Sequence, residues 1–326
     1  MISILLAVRN EEKTLVECLQ TLLDQKLDQS YEILIGNDGS TDGTKQLLER
    51  YQQTYDHIFV YDILKNKYGL KGKANVLAQL SEKAKGSILL FTDADMRLSP
   101  TWAMTLVNAL KDDVGIITGV TYVEGRTFWE KWQGLDWLYA LQLLNILSSW
   151  GVALTAMGNN MGVQRKAYDA VGGYEKIPFS VAEDFALSKA LIEAGWKSKH
   201  LFNRRVKGET LGVDSFQEWL RQRKRWMKGA VALPKVWVWL LVIHYLGIFL
   251  LPFVYAVQPM VSLYALGGVV AFRWGILLKA LFTLRLYRFI PYILLFEPLY
   301  SVFYVIVLLY YTLPVKVVWK GREYEA

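Results

Sequence analysis

The segment Ser87-Ile-Leu-Leu-Phe-Thr-Asp-Ala-Asp95 joins a short apolar run to a pair of carboxylates, and it decides the fold. An apolar run of this length, followed at once by polar residues, predicts a buried β-strand over residues 87–92. Similar runs at residues 2–7 and 31–36 predict two more strands. Helical patterns at residues 14–23, 44–55 and 72–84 separate the three runs. Strands that alternate with helices predict an α/β fold, with a mostly parallel sheet covered by helices on both faces.

Polar residues follow each of the three predicted strands. They are the run from Arg9 to Glu12, the run from Asn37 to Gly43, and the pair Asp93 and Asp95. Open α/β sheets bind ligands outside the carboxyl ends of their strands, so these three clusters predict one site. The run after the second strand also fits a simple turn followed by a helix N-cap, because Asn, Asp, Ser and Gly are the residues of such turns.

The carboxylates of Asp93 and Asp95 are suited to a hard cation. Mg²⁺ or Mn²⁺ is commonly held by one or two carboxylates together with substrate phosphates, here those of a nucleotide diphosphate. An acidic loop that caps the following helix is the alternative. The glycines and lysines at 69–73 do not follow a strand and so do not form a P-loop, although lysines there could neutralise phosphates as point charges.

Charge is distributed unevenly along the 326 residues. Residues 1–230 carry 29 lysines and arginines against 27 aspartates and glutamates, whereas residues 231–314 carry five cations and one acid. This pattern predicts a globular domain over residues 1–230 and a transmembrane region of about three helices over residues 231–326. It excludes a disordered chain and, with Cys18 as the single cysteine, a disulfide scaffold.

The net charge of +7 would fit a nucleic-acid-binding protein. Much of the excess positive charge, however, lies in or beside apolar stretches, where lysine and arginine more often mark the cytoplasmic side of a membrane. We therefore expect a membrane partner and no nucleic acid.

Three apolar stretches follow residue 235, at residues 236–256, 253–272 and 289–313. The segment between the last two carries Arg273, Lys279, Arg285 and Arg288 and no acid, which predicts an amphipathic interfacial helix or a tight cytoplasmic connection.

Three crossings would place Lys316, Lys320 and Arg322 outside, against the positive-inside rule, so two or four crossings stay open. Glu297 interrupts the last stretch, either as a pathway residue or as one held near an interface.

Five short motifs occur in order along the chain. They are Asp38-Gly-Ser-Thr-Asp42, Lys71-Gly-Lys-Ala-Asn75, Thr92-Asp-Ala-Asp95, Glu183-Asp184 and Gln222-Arg-Lys-Arg-Trp226. Together they resemble the membrane-bound branch of the inverting glycosyltransferase family 2, with its D, DxD, ED and QxxRW series. That branch includes cellulose, chitin and hyaluronan synthases and the ceramide glucosyltransferases. The resemblance covers about residues 1–230 and implies a GT-A fold there.

The resemblance also implies a role for each matching residue. Asp184 would be the general base, and Asp95 would bind Mg²⁺ or Mn²⁺. Glu183 would orient the base or the acceptor. Apart from the resemblance, the run from Gly158 to Met161, which includes Asn159, fits either a lining of the acceptor pocket or a simple turn. The residues that would bind the nucleotide sugar are Val8, Arg9, Glu11, Asp38, Lys73, Asp93, Gln222, Arg225 and Trp226.

The implied function is that of a metal-dependent hexosyltransferase. It would transfer a sugar from a UDP-sugar, with inversion, to a hydroxyl of a membrane-associated acceptor at the cytoplasmic face of a bacterial inner membrane. We favour a lipid acceptor over a glycan, because a processive polysaccharide synthase usually needs more spans for its channel. A non-catalytic, nucleotide-binding membrane scaffold is the alternative from another class.

Simpler interpretations apply to several of these segments. Glu183 and Asp184 could merely begin a helix, where acids complement the dipole. The basic, aromatic residues at 215–232 and the tryptophan-rich residues at 128–150 both fit interfacial helices, and the second also fits a core helix.

Overall fold

The computed structural model describes residues 1–111, 113–319 and 322–324. The chain forms two compact units. The first comprises Met1–Tyr122 and Leu144–Leu211, and the second comprises Val123–Leu143 and Gly212–Ala326. The predicted boundary at residue 230 stays a prediction.

The strands β1 to β12 are, in chain order, Ile2–Val8, Tyr31–Asn37, Ile58–Asp62, Ile88–Asp93, Arg97–Leu98, Val114–Thr118, Thr121–Glu124, Asn160–Gln164, Lys197–His200, Gly208–Leu211, Val317–Trp319 and Arg322–Tyr324. The helices α1 to α13 are Leu15–Leu23, Thr44–Thr54, Gly72–Lys83, Trp102–Ala109, Phe128–Ser149, Arg165–Ala170, Gly173–Lys176, Glu183–Glu193, Phe216–Val231, Lys235–Leu246, Leu251–Val257, Pro259–Leu284 and Ile293–Thr312. Short 3₁₀ helices cover Arg204–Val206, Gly247–Leu250 and Tyr287–Tyr292.

The first unit is built on a seven-stranded sheet with the order β3-β2-β1-β4-β8-β6-β9. Strands β3, β2, β1 and β4 are parallel, whereas β8 runs antiparallel to both β4 and β6. A second sheet has the order β5-β10-β7. This is the predicted α/β fold, and the three strands and three helices expected from the sequence are all present. The antiparallel β8 and the second sheet were not predicted.

Strand β1 lies between β2 and β4 and sets the position of the predicted site. Its register pairs Val8 with Asn37 on one side and Ala7 with Asp93 on the other. The polar residues that follow all three strands therefore start from the same sheet edge. Helix α3 packs closely on β2, because a Cβ atom at Gly36 would lie 2.3 Å from the Val76 side chain. Because position 36 has no side chain, α3 can lie close to the sheet edge at which β1, β2 and β4 end.

The described part of the second unit contains three helices long and apolar enough to cross a membrane, at Lys235–Val257, Pro259–Leu284 and Tyr287–Thr312. Of the two interpretations of residues 273–288, a separate interfacial helix that begins at Arg273 is wrong, and a cytoplasmic connection stays a prediction. Helix α12 begins at Pro259, passes through Arg273 without interruption and ends where Arg285 adopts a left-handed conformation, with φ of 57°.

A buried ion pair explains why the helix continues through Arg273. The Arg273 guanidinium, 1% exposed, pairs with the carboxylate of Glu297 on α13. It also donates to Ser301 Oγ at 3.0 Å and to the carbonyl oxygen of His244 at 2.7 Å. A charge among apolar helices is retained when a partner neutralises it, and the sequence did not reveal this pairing. Lys320, one of the three cations that three crossings would place on the far side of the membrane, is not among the described residues.

Candidate active site

The ends of β1 and β2 form the first part of the site. The backbone N–H of Asp38 donates to the carbonyl oxygen of Val8 at 2.9 Å, and the Arg9 guanidinium donates to the carbonyl oxygen of Asp38 at 2.6 Å. The backbone N–H of Glu11 donates to Thr44 Oγ1 at the start of α2, at 2.8 Å. The structure therefore brings Val8, Arg9 and Asp38 together and places Glu11 at the start of α2, and their predicted contacts with a nucleotide stay predictions.

Lys73 lies at the centre of a group of carboxylates. Its Nζ is 2.5 Å from Asp93 Oδ1 and 3.1 Å from Glu183 Oε1, and its side chain is 11% exposed. Burial on its own lowers the pKa of the Lys73 ammonium, but the negative charges of Asp93, Glu183 and Asp184 outweigh it and raise that pKa. Lys73 is thus a permanent cation that joins the end of β4 to the start of α8. Its predicted contact with nucleotide phosphates stays a prediction.

Asp184 is held in place by two backbone donors. The N–H of Gly158 donates to Asp184 Oδ2 at 2.7 Å, and the N–H of Phe185 donates to Oδ1 at 2.8 Å. Burial, together with the charge of Glu183, raises the pKa of Asp184 to about 6, although Lys73 and the N–H donors oppose this. Glu183 and Asp184 do begin helix α8, so the simple helix-start interpretation and the site interpretation both hold.

The glycine at position 158 matters for this contact. A Cβ atom there would lie 3.0 Å from Asp184 Cβ and 3.2 Å from Oδ2. That spacing is tight, so any side chain at Gly158 would push against the carboxylate that its N–H holds. A carboxylate with a raised pKa and a fixed orientation has the properties required of a general base.

The residues after Gly158 fix the loop that carries this glycine to the rest of the first unit. Thr92 Oγ1, beside Asp93, donates to the carbonyl oxygen of Asn159 at 3.0 Å. The Asn159 side chain accepts from Thr121 Oγ1 at 3.3 Å, and its predicted contact with the acceptor stays a prediction. The next residue, Asn160, is fully buried and accepts a hydrogen bond from Trp102 Nε1 at 2.8 Å. The loop that carries Gly158 is therefore fixed to the strand that carries Asp93.

Asp95 is oriented by a residue that the sequence did not single out. Thr210 Oγ1 on β10 donates to Asp95 Oδ2 at 2.9 Å, and Thr210 is 5% exposed. Within the described residues no group of three or more His, Cys, Asp or Glu side chains could hold a metal ion. The predicted role of Asp95 as a metal ligand stays a prediction, in which substrate phosphate oxygens would supply the other ligands. A hard cation accepts such a donor set.

Gln222, Arg225 and Trp226 lie on α9 in the second unit. Gln222 Oε1 accepts a hydrogen bond from Arg223 at 2.9 Å. The Trp226 ring lies 4.1 Å from the Arg223 guanidinium and 4.9 Å from the Trp137 ring, both measured from ring centroids. Arg223 also pairs with the buried Asp136 of α5. Their roles toward a donor stay predictions.

Comparison with known protein families identifies the chain. The family model described as "Glycosyl transferase family 2" matches residues 3–172. The family model described as "Glycosyl transferase family group 2" matches residues 88–318. The chain belongs to glycosyl transferase family 2. Each match covers more than half of the 326 residues, and the predicted membership of glycosyltransferase family 2 is confirmed.

Curated relatives of this family 2 chain are named for different products. It is 26% identical to a beta-monoglucosyldiacylglycerol synthase of Nostoc sp. over 232 residues, which is 70% of this chain and 48% of the relative. It is 27% identical to the poly-beta-1,6-N-acetyl-D-glucosamine synthase of Staphylococcus aureus over 237 residues, which is 70% of this chain and 54% of the relative. The chain thus spans about half the length of the curated relatives it matches.

A solved structure supports the fold. The mannosyltransferase PcManGT from Pyrobaculum calidifontis, solved in complex with GDP-Man and Mn²⁺, matches with a TM-score of 0.62 and 17% identity. The match covers 95% of this chain and 86% of that one. The family 2 chain therefore has a GT-A fold followed by apolar helices, as predicted.

The contact between Thr210 and Asp95 predicts an effect on metal binding. Thr210→Val keeps the shape of the side chain and removes the hydroxyl, so we expect Mn²⁺ to bind about tenfold more weakly in the presence of UDP. Thr210→Ser, which keeps the hydroxyl, should bind nearly as the parent does. Titration followed by electron paramagnetic resonance of free Mn²⁺ measures both affinities. Unchanged affinity in Thr210→Val would show that the hydroxyl does not orient a metal ligand.

Proposed function

We propose that the chain transfers a hexose from a UDP-sugar, with inversion, to a hydroxyl of a membrane lipid at the cytoplasmic face. The observation that carries the proposal is the Asp184 carboxylate, fixed by the Gly158 and Phe185 N–H groups beside the charge cluster of Lys73, Asp93 and Glu183. This cluster stands at the sheet edge where α/β folds bind ligands.

Asp184 would remove the proton of the acceptor hydroxyl as its oxygen attacks the anomeric carbon. The carboxylate must be ionised to do so, and a pKa of about 6 leaves it ionised at neutral pH while keeping it basic enough to accept a proton. One base and one attack give one displacement, so the configuration at the anomeric carbon inverts. Lys73 and Glu183 would keep the carboxylate in place without taking the proton.

The departing diphosphate needs positive charge near it. Asp95, oriented by Thr210, would hold Mg²⁺ or Mn²⁺, and the bound ion would offset the negative charge that develops on the leaving group. Arg225 would add a fixed cation if the predicted role of the motif on α9 is correct. The residues around Asp38 would hold the nucleoside.

The membrane region supports a lipid acceptor. Among the described residues, three apolar helices follow residue 234, and the beta-monoglucosyldiacylglycerol synthase of Nostoc sp. is named for a glycolipid product. The cations Arg285 and Arg288 between α12 and α13 support a cytoplasmic position for that connection and for the chain before the first span. The Staphylococcus aureus relative is named for a polysaccharide, so a growing glycan is the second candidate acceptor.

Release of the donor's nucleoside diphosphate, UDP or GDP, by the purified chain in detergent tests the proposal. The donors are UDP-glucose, UDP-N-acetylglucosamine and GDP-mannose, each with and without total lipid extract, and with EDTA as the metal control. We expect lipid-dependent release from one UDP-sugar, loss of release in EDTA, and one sugar per lipid in the product. A ladder of saccharides would favour the polysaccharide synthase, and release from GDP-mannose alone would contradict the UDP-sugar assignment.

In the same assay, Asp184→Asn should lower turnover by about 100- to 10,000-fold, the usual contribution of a general base, while the donor still binds. Asp169→Asn is the matched control, because that carboxylate lies on α6 and its side chain is 59% exposed. Full turnover by Asp184→Asn would remove Asp184 as the base.

The raised pKa of Asp184 predicts how activity depends on pH. Since the ionised form works, kcat/KM should fall as pH drops through about 6, rather than through the ordinary carboxyl range near 4. Glu183→Gln removes a charge that raises this pKa, so its acidic limb should move to lower pH. Glu193→Gln, at the exposed end of the same helix, should leave the limb in place. A limb that stays put in Glu183→Gln would contradict the assignment.

A further inference from the structure

Helices α5 and α9 of the second unit share a buried ion pair. Asp136 of α5 and Arg223 of α9 are 1% and 3% exposed, and the guanidinium pairs with Asp136 Oδ2. The other carboxylate oxygen, Oδ1, accepts a hydrogen bond from Tyr304 Oη at 2.8 Å. Both oxygens of Asp136 therefore have partners. A buried ion pair adds little stability once the cost of removing both charges from water is counted, so the other contacts of Arg223 are more informative.

Arg223 lies inside the Gln222–Trp226 motif and contacts two of its residues. Its guanidinium donates to Gln222 Oε1 at 2.9 Å. The same group lies 4.1 Å from the centre of the Trp226 ring and 5.1 Å from that of Trp219, both within the range of a cation–π contact. Residues 219, 223 and 226 are four and three positions apart, so they share one face of α9. The ion pair with Asp136 therefore holds a group that packs on the motif.

The contact with Gln222 decides which end of its amide can meet a ligand. Arginine has only hydrogen-bond donors, so Arg223 must bind the amide oxygen of Gln222. The amide NH₂ is then directed away from Arg223, and an NH₂ group is a donor suited to a phosphate oxygen. A reversed amide would set donors against donors. Arg223 thus makes Gln222 present a donor, which a diphosphate requires.

The Trp226 ring is fixed by α5 as well as by Arg223. Trp137, the residue after Asp136, is 6% exposed. Its ring lies 4.9 Å from that of Trp226, with 76° between the two planes. This is the edge-to-face arrangement that aromatic rings favour. Two adjacent residues of α5 therefore hold the motif, Trp137 by direct contact and Asp136 through Arg223.

We propose that Asp136 is a positioning residue for the Gln222–Trp226 motif and acts on it through Arg223. The carboxylate holds the guanidinium, which presents the NH₂ of Gln222 and holds the Trp226 ring. Without that negative charge the buried guanidinium would move toward water or another acceptor, and both motif residues would lose their contact with it. The proposal rests on the proposed function, in which the motif holds the diphosphate of the donor.

The affinity for UDP in saturating Mn²⁺ tests the proposal, measured by isothermal titration calorimetry on the full chain in detergent. Asp136→Asn keeps the size of the side chain and removes its charge. We expect it to raise the Kd for UDP about tenfold, the usual order of effect for a group that orients a ligand. Tyr304→Phe, which removes one hydrogen bond to Asp136 and keeps the ring, should raise the Kd by less.

Arg223→Lys separates positioning from stability. It keeps a cation beside Asp136 but loses the planar group that reaches Gln222 and stacks on Trp226. It should therefore melt at nearly the temperature of the parent and still bind UDP about tenfold more weakly. An unchanged Kd in Arg223→Lys would overturn the proposal.

Glu297→Gln is the matched control, because it removes a charge from the other buried ion pair of this unit, with Arg273. It should lower the melting temperature and leave the Kd for UDP in place. A rise in Kd equal to that of Asp136→Asn would show that loss of any buried charge in this unit weakens binding, and would overturn the role given to Asp136.

A double-mutant cycle closes the test. In a chain that carries Gln222→Ala and Trp226→Ala, Asp136→Asn should have no further effect on the Kd, because the residues through which it acts are gone. Full additivity would overturn the positioning role alone. If the double-alanine chain binds UDP as tightly as the parent, the predicted role of the motif is wrong and the proposal fails with it. Failure of the parent to bind UDP would contradict the proposed function as well.

Discussion

The ammonium of Lys73 among the carboxylates of Asp93 and Glu183 is the constraint on which the site depends. Removing a charged lysine from water costs several kcal/mol unless opposite charges are held close to it, so three separate segments must end at one place. The start of α3 brings the cation, the end of β4 brings Asp93, and the start of α8 brings Glu183. Asp184 follows Glu183 in the chain and is therefore placed by the same ion pairs. The Gly158 N–H then fixes its orientation.

The sequence predicted those parts of the fold that depend on local patterns. Residues 2–7, 31–36 and 87–92 alternate with helical segments, and the resulting strands β1, β2 and β4 meet as neighbours in the sheet. Because parallel strands end at a common edge, the grouping of Asp38 and Asp93 followed from the same reasoning. Contacts between segments far apart in the chain are not marked by any local sequence pattern. Thr210 reaches Asp95 across 115 residues of chain, and nothing in the segment around Thr210 indicates a ligand-orienting role.

In the membrane region, too, a contact between residues far apart in the sequence could not be predicted. Arg273 looked like the boundary of an apolar stretch because its partner, Glu297, lies 24 residues further on, in another helix. Once paired, the two charges no longer end their helices. The three apolar stretches could be predicted from composition, but the contacts that their helices make could not. Tyr304 of α13 donates to Asp136, and Lys224 donates to the carbonyl oxygen of Leu313, so α13 contacts the helix with the Gln222–Trp226 motif.

In the proposed mechanism, the one ionised carboxylate of Asp184 acts as the base for a single displacement at the anomeric carbon. The configuration of the product tests it most directly. The glycolipid formed from an α-linked UDP-sugar is isolated, and the coupling between its anomeric proton and H2 is measured by proton NMR. We expect a β-linked sugar. An α-linked product would require a second displacement or a different mechanism, and would contradict a single displacement assisted by Asp184.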